Sequence, residues 1–124
     1  MLDEADVVTA AMTAIVTRIR AKQWRQWCRD LRNQHPADLP VRVVRRPMAK
    51  YHGLTARCGD THYLITIDSA LPNPIAWMIL LHEWAHALTW GACKEDDVDH
   101  NDAWGIAYAM LWRDNHGDAD FSPE

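Results

Sequence analysis

Cysteine is scarce in this sequence of 124 residues, and no two cysteines have the Cys-x-x-Cys spacing of a metal-binding ribbon. The three that are present, Cys28, Cys58 and Cys93, lie far apart and are odd in number. Neither a disulfide framework nor a cysteine-based metal site is therefore indicated. We expect three buried thiols.

Long apolar runs are also missing. The longest one, Pro74–Leu81, is too short to cross a bilayer, so no membrane segment is predicted. The start, Met1–Glu4, is acidic where a secretory signal would be basic. A hydrophobic content of 48% and seven Trp residues indicate a folded chain. We therefore expect one domain over residues 1–124, in a reducing cytoplasm, with a frayed tail from about Gly117.

Glycine and proline are absent from residues 3–34, where apolar residues recur at helical spacing. This pattern predicts one long helix, or two with a bend, from about Asp3 to Gln34. His35-Pro36 should end it, because the residue before a proline is disfavoured in helical geometry.

Basic residues recur on this helix at intervals of three and four, which places them on one face: Arg18, Lys22, Arg25, Arg29 and Arg32. Residues 1–50 carry ten Lys/Arg against five Asp/Glu, and residues 51–124 carry three against twelve. Such a stripe is usually a solvated helix face, but it is also suited to non-specific contact with the DNA backbone.

Three short strands are predicted next: Val41–Arg45, Tyr51–Cys58 and Thr61–Ile67. Gly59-Asp60 suits a two-residue hairpin turn, which would pair Arg57 with His62 and Leu54 with Ile65. We expect an antiparallel sheet with alternate faces on the last strand: Tyr63, Ile65 and Ile67 on one, His62, Leu64 and Thr66 on the other.

A buried helix is predicted from about Pro74 to Trp90, ended by Gly91. Apolar residues surround it on nearly all sides: Ile75, Trp77, Met78, Ile79, Leu80, Leu81, Trp84 and Leu88. An acidic loop, Cys93–Asp99, then leads to a last helix from about Asn101 to Asn115. The whole pattern predicts an α+β fold.

The buried helix contains His82-Glu83-Trp84-Ala85-His86. Two imidazoles four residues apart share a helix face and can bind one cation, and Glu83 can reach a water beside it. The alternative is a set of ordinary hydrogen-bonded helix residues. Because His and Glu buried among Trp, Leu and Ile are costly unless paired or metal-bound, we favour a zinc site, one ion per chain.

Catalytic zinc sites use three protein ligands, so one more is needed. His100 is the best candidate. Thirteen residues separate it from His86, and it lies four residues before Trp104, which can anchor its helix in the core. Asp99 and Asp102 are its rivals, or else hydrogen-bond acceptors for ligand histidines. Asp96 and Asp97 are more typical of a solvated loop.

These pieces resemble the SprT-like zinc metallopeptidases. The matching segments are Ile65-Thr66-Ile67, Leu71, the helix segment from Leu80 to Ala87, and His100 followed by Trp104. The resemblance covers about residues 41–112. Asn101 stands where the family usually has Gly, and the cysteine-rich C-terminal ribbon of many members is absent.

The resemblance implies a minimal zincin fold, His82, His86 and His100 as zinc ligands, and Glu83 as the catalytic carboxylate. It also suggests substrates among DNA-associated proteins. The corresponding mechanism is peptide hydrolysis with Glu83 as general base on a zinc-bound water. The strand Leu64–Ile67 could hold an extended peptide by edge pairing.

Tyr108 is a candidate oxyanion donor, and the alternative is a core aromatic residue. The competing function is a zinc-stabilised nucleic-acid-binding or adaptor protein without catalysis. Glu83 argues for the enzyme, because a structural zinc site is normally closed by a fourth protein ligand and needs no carboxylate beside an open position.

Overall fold

The computed structural model describes residues 3–96 and 99–116, leaving out the side chains of residues 13–20, 95, 96 and 116. Within those ranges the fold is α+β, with four helices and a three-stranded sheet. The elements are α1 (Glu4–Gln34), β1 (Val41–Arg46), β2 (Gly53–Cys58), β3 (His62–Asp68), α2 (Asn73–Leu88), α3 (Trp90–Asp96) and α4 (Asp102–His116). The tail predicted to fray from Gly117 lies outside these residues.

The first helix is continuous from Glu4 to Gln34, which is the first of the two predicted forms, one long helix. Asp3 caps it by accepting a hydrogen bond from the Asp6 backbone N–H, and His35 ends it. Its C-terminal part joins the core through Trp24, Cys28 and Leu31. No helix in the described ranges is both long and apolar enough to cross a membrane.

The prediction of an antiparallel sheet is wrong, because the sheet contains one parallel and one antiparallel pair of strands. Its order is β1-β3-β2, with β1 parallel and β2 antiparallel to β3. The loop after β1 passes the end of β3, so β2 runs back on the far side and β3 occupies the middle. The central place falls to the strand with the most buried side chains, since Tyr63, Ile65 and Ile67 are at most 1% exposed.

The predicted hairpin register is wrong by one residue. Cys58 pairs with His62, Arg57 with Tyr63 and Leu54 with Thr66. The turn has three residues rather than two, because Thr61 joins it and bonds to the Cys58 carbonyl through both its N–H and its hydroxyl. Gly59 adopts a positive φ of 56°, which glycine tolerates. The predicted alternation of faces on β3 is confirmed.

Helix α2 lies against the sheet and α4 and supplies much of the core, including Leu80, Leu81 and Trp84. It is shorter than predicted, because Thr89 ends it, and Gly91 lies inside α3 instead of stopping a helix. Helix α3 also takes up most of the predicted acidic loop. Ile75 and Met78 are nearly half exposed, so the helix is not enclosed on every side as predicted.

We expect the free energy of unfolding to fall as pH rises from about 9 to 12. Burial raises the pKa of Cys28 to about 11, although Arg32 and Arg45 oppose it. Burial, followed by the hydrogen bond to Asp38, raises the pKa of Tyr63 to about 12. The unfolded chain loses these protons at lower pH, so deprotonation favours unfolding.

Urea unfolding at pH 8 and pH 10.5 measures this effect. Cys28→Ala removes one of the two groups and should show a smaller loss of stability between the two pH values, whatever its stability at pH 8. An equal loss in the variant and the wild type would contradict the assignment to Cys28.

Candidate metal centre

Three imidazoles from two helices meet at one point. His82 and His86 lie one turn apart on α2, and His100 lies two residues before α4. The Nε2 atom of His100 is 3.3 Å from Nε2 of His82 and 3.1 Å from Nε2 of His86. Among the described residues these three form a group that could hold a metal ion.

The spacing of the nitrogens agrees with metal coordination. Two nitrogens bound at about 2.05 Å to a tetrahedral zinc lie about 3.3 Å apart. Hydrogen bonds alone do not explain why Nε2 of His100 lies near two other ring nitrogens. In a neutral ring this atom carries at most one hydrogen, so it can donate to only one of them. A shared cation satisfies all three nitrogens together.

The electrostatics also favour the ligand form of the histidines. Burial, then the neighbouring His82 and His100, lowers the pKa of His86 to about 4, while Asp99 opposes the shift. Burial and His100 lower the pKa of His82 as well. Neutral imidazole is the form that binds metals, so both α2 histidines are ready to bind at neutral pH.

Glu83 is the charged residue buried beside this cluster, with 7% of its surface exposed. Its Oε2 atom lies 3.9 Å from Nε2 of His82. Its Oε1 atom accepts a 2.8 Å hydrogen bond from the Thr55 hydroxyl, which is also 3.0 Å from the Glu83 carbonyl. One carboxylate oxygen is thus held by β2, and the other lies on the histidine side.

The environment of Glu83 pushes its pKa in two directions. Burial raises the pKa, and the hydrogen bond from Thr55 together with the nearby His100 lowers it. The net shift is upward, toward the range in which a carboxylate can accept and return a proton near neutral pH.

Close approach of β2 to α2 depends on Gly53. A Cβ atom at this position would lie 2.6 Å from a methyl carbon of Ile79 and 3.1 Å from Cγ of Glu83. Neither Gly53 nor Thr55 is recognisable as a site residue from the sequence, because the contact joins residues about thirty positions apart and no local pattern indicates it.

Aromatic rings support the cluster. The Trp104 ring lies 4.5 Å from the His100 ring and 4.9 Å from the His82 ring, and its Nε1 donates to the His82 carbonyl. Trp84, inside the histidine motif, donates from its ring N–H to the His35 carbonyl at the end of α1. These contacts fix α2 relative to α1 and α4.

Tyr108 lies at the edge of the same aromatic group. Its ring is stacked on Trp104 at 5.0 Å and lies 5.7 Å from the His82 ring. It is partly buried against the core. The residue is therefore close to the cluster and also packs against the core, and its role as oxyanion donor stays a prediction.

The rival acidic ligands lie outside the histidine cluster. Asp99 and Asp102 are exposed, and the group that could hold a metal does not include them. The negative charge of Asp99 acts on the site by raising the pKa of His86, against the larger effects that lower it. Asp102 lies in the first turn of α4, where a carboxylate suits the helix dipole. Asp97 and the Asp96 side chain lie outside the description.

The basic residues of α1 are on the surface wherever their side chains are described. Lys22, Arg25, Arg29 and Arg32 are exposed. Arg32 donates from Nε to the Val41 carbonyl, and Arg29 donates to Gln26 on its own helix. The side chain of Arg18 lies outside the described part of the chain.

Comparison with known proteins returns no match of any of three kinds. No protein-family model matches the sequence. No curated protein and no solved structure is significantly similar to the chain.

Proposed function

We propose that this protein is a zinc-dependent peptidase of the SprT-like type, with His82, His86 and His100 as the zinc ligands. The observation that carries the proposal is the buried Glu83 carboxylate, which has one oxygen held by Thr55 and the other 3.9 Å from a histidine nitrogen of the cluster. A metal site that serves only structure has no use for a carboxylate in this position.

Zinc bound by the three imidazoles would polarise a substrate carbonyl. It would also lower the pKa of a water, so that the water could lose a proton and attack the carbonyl. Glu83 supplies the proton transfers. It accepts a proton from the attacking water and gives it to the leaving amine nitrogen. The upward shift of its pKa supports both steps, because the same group must bind and release the proton.

An extended peptide would pair with β2, not with the strand predicted for this role. Residues Leu64–Ile67 belong to β3, which has neighbours on both edges, so that prediction is wrong. Among the described strands β2 pairs only with β3, and its Thr55 contacts Glu83. A peptide added to the free edge of β2 would run beside the catalytic carboxylate.

Room for a substrate side chain exists next to the cluster. A cavity of about 320 Å³ is lined by His86, Trp90, Cys93, Lys94 and Asp99. It combines an aromatic wall with charges of both signs. This supports a peptide substrate, which offers both apolar and polar groups.

Thr55→Val should lower kcat for peptide hydrolysis by about tenfold while zinc affinity stays the same. The variant keeps the shape but loses a hydrogen bond to a charged group, which is typically worth about 1.5–3 kcal/mol. Thr55→Ser keeps the hydroxyl and should retain most of the activity. Steady-state kinetics and zinc titration of the three proteins test this, and equal kcat values in all three would contradict the role of Thr55.

The second candidate function is DNA binding through the α1 stripe, and the exposed side chains of Lys22, Arg25 and Arg29 favour it. It is compatible with catalysis on DNA-associated proteins. A stripe of cations without base-reading partners contacts phosphates, so binding should be non-specific and should weaken with salt.

Arg25→Glu/Arg29→Glu should therefore abolish most of any affinity for single-stranded DNA. Lys50→Glu/Arg113→Glu is a matched control, because it makes the same change of charge at exposed residues outside the stripe. Fluorescence anisotropy at several salt concentrations measures the effect. Equal losses in the two variants, or binding that does not depend on salt, would show that the stripe is only solvated surface.

A further inference from the structure

The side chain of Asn101, next to the proposed ligand His100, forms hydrogen bonds with groups on both α4 and α3. Its Oδ1 atom accepts from the Trp104 backbone N–H at 3.0 Å and from the Cys93 thiol at 3.2 Å. Its Nδ2 atom donates to the Ala92 carbonyl at 3.4 Å. One side chain thus caps α4 and joins it to α3.

The connection continues from α3 to the helix that carries the other two histidines. The Thr89 hydroxyl donates to the Ala85 carbonyl at 2.7 Å and lies 3.6 Å from the Cys93 sulfur. Ala85 lies in α2 immediately before His86. A chain of polar contacts therefore runs from the Ala85 carbonyl of α2, through Thr89 and Cys93, to the residue beside His100.

His100 needs such a restraint, because it is exposed and lies before the first turn of α4. Its ring reaches the α2 histidines only if the start of α4 is fixed in both position and direction. Asn101 can fix the start of α4 because its side chain caps the helix, whereas a glycine at this position has no side chain that could do so.

We propose that Asn101 is a positioning residue that holds His100 against His82 and His86, through the cap of α4 and the bridge to α3. The inference rests on the metal site of the proposed function, but it does not require peptidase activity. It assigns a role to the residue at which this sequence departs from the SprT-like pattern.

The test is zinc affinity measured by competition with a chromogenic chelator. Asn101→Ala should weaken zinc binding by about 10- to 100-fold, as expected for a residue that orients a ligand. Asn101→Asp keeps the capping oxygen and should recover most of the affinity, because Asp and Asn cap helices equally well. Cys93→Ala removes one bridge contact and should lie between the wild type and Asn101→Ala.

Asp3→Ala is the matched control, since it removes the cap of α1 far from the cluster. It should leave zinc affinity unchanged. Cobalt adds a spectroscopic signature, because Co²⁺ in a tetrahedral site absorbs strongly in the visible range and Asn101→Ala should lower that absorbance. Unchanged zinc affinity in Asn101→Ala, or an equal loss in Asp3→Ala, would overturn the proposal.

Nuclear magnetic resonance of the metal-free protein separates this inference from the proposed function. Contacts between the His100 and His86 rings should be present in the wild type and in Asn101→Asp and lost in Asn101→Ala. If the wild type cleaves no peptide, the peptidase proposal fails while these contacts still decide the role of Asn101. Ring contacts that survive in Asn101→Ala would overturn that role even in an active enzyme.

Discussion

Glu83→Gln should reduce peptide hydrolysis by at least about a hundredfold, the typical contribution of a general base. The amide keeps the size of the side chain and can still accept the hydrogen bond from Thr55, but it cannot take a proton from water. Because burial raises the pKa of Glu83, a neutral group suits this position, so the variant should be at least as stable as the wild type at neutral pH.

Zinc content and stability must be measured on the same samples as activity. The three imidazoles are intact in Glu83→Gln, so it should hold one zinc per chain. Glu4→Gln, at an exposed position in the first turn of α1, is a control for loss of a carboxylate and should be fully active. A Glu83→Gln protein that cleaves an unstructured protein such as casein as fast as the wild type would end the general-base role.

His100→Ala should fail in a different way, by losing zinc. The binding free energy of a zinc site with four ligands is about 10–16 kcal/mol, so one ligand contributes about 3 kcal/mol, and zinc affinity should fall by at least about a hundredfold. The 3.1 Å and 3.3 Å distances from its Nε2 to the other two histidines are the reason for this expectation.

Asp99→Ala and Asp102→Ala distinguish this assignment from its rivals. Both residues are exposed and lie outside the cluster, so their removal should change zinc affinity much less. Asp99→Ala should lower zinc affinity slightly, because the negative charge of Asp99 favours a cation near His86. Zinc retained by His100→Ala and lost by either Asp variant would reverse the assignment.

Much of the local structure could be predicted from the sequence, because its signals are short-range. The absence of glycine and proline before Pro36 predicts α1, and the His35 end is confirmed. The alternation of apolar residues predicts the inner face of β3. The histidine motif predicts two adjacent rings on α2, and the Trp104 anchor predicts that His100 approaches them.

The errors concern pairings that no local pattern determines. Strand order depends on which strand best fills the middle of the sheet, and β3 takes that place because its inner face is the most apolar. The hairpin register differs from the predicted one by one residue because the Thr61 hydroxyl donates to the Cys58 carbonyl. The Gly59-Asp60 pair does not indicate this hydrogen bond. Helix α3 forms through Gly91, since a single glycine weakens a helix without ending it.

The supporting residues of the site were predictable to different degrees. Asn101 has a local signal, because Asn before an acidic first turn is a helix cap. Thr55 and Gly53 have none, since their importance lies in the approach of β2 to α2. Spatial neighbours that are distant in sequence are therefore the part of a site that single-sequence reasoning misses.

Zinc titration of the metal-stripped protein, followed by peptide hydrolysis at each step, tests the central claim most directly. Activity should be absent without metal, should rise in proportion to added zinc and should level off at one zinc per chain. No zinc uptake would contradict the metal site. Uptake of one zinc per chain without any hydrolysis would contradict the enzyme and leave a structural metal centre.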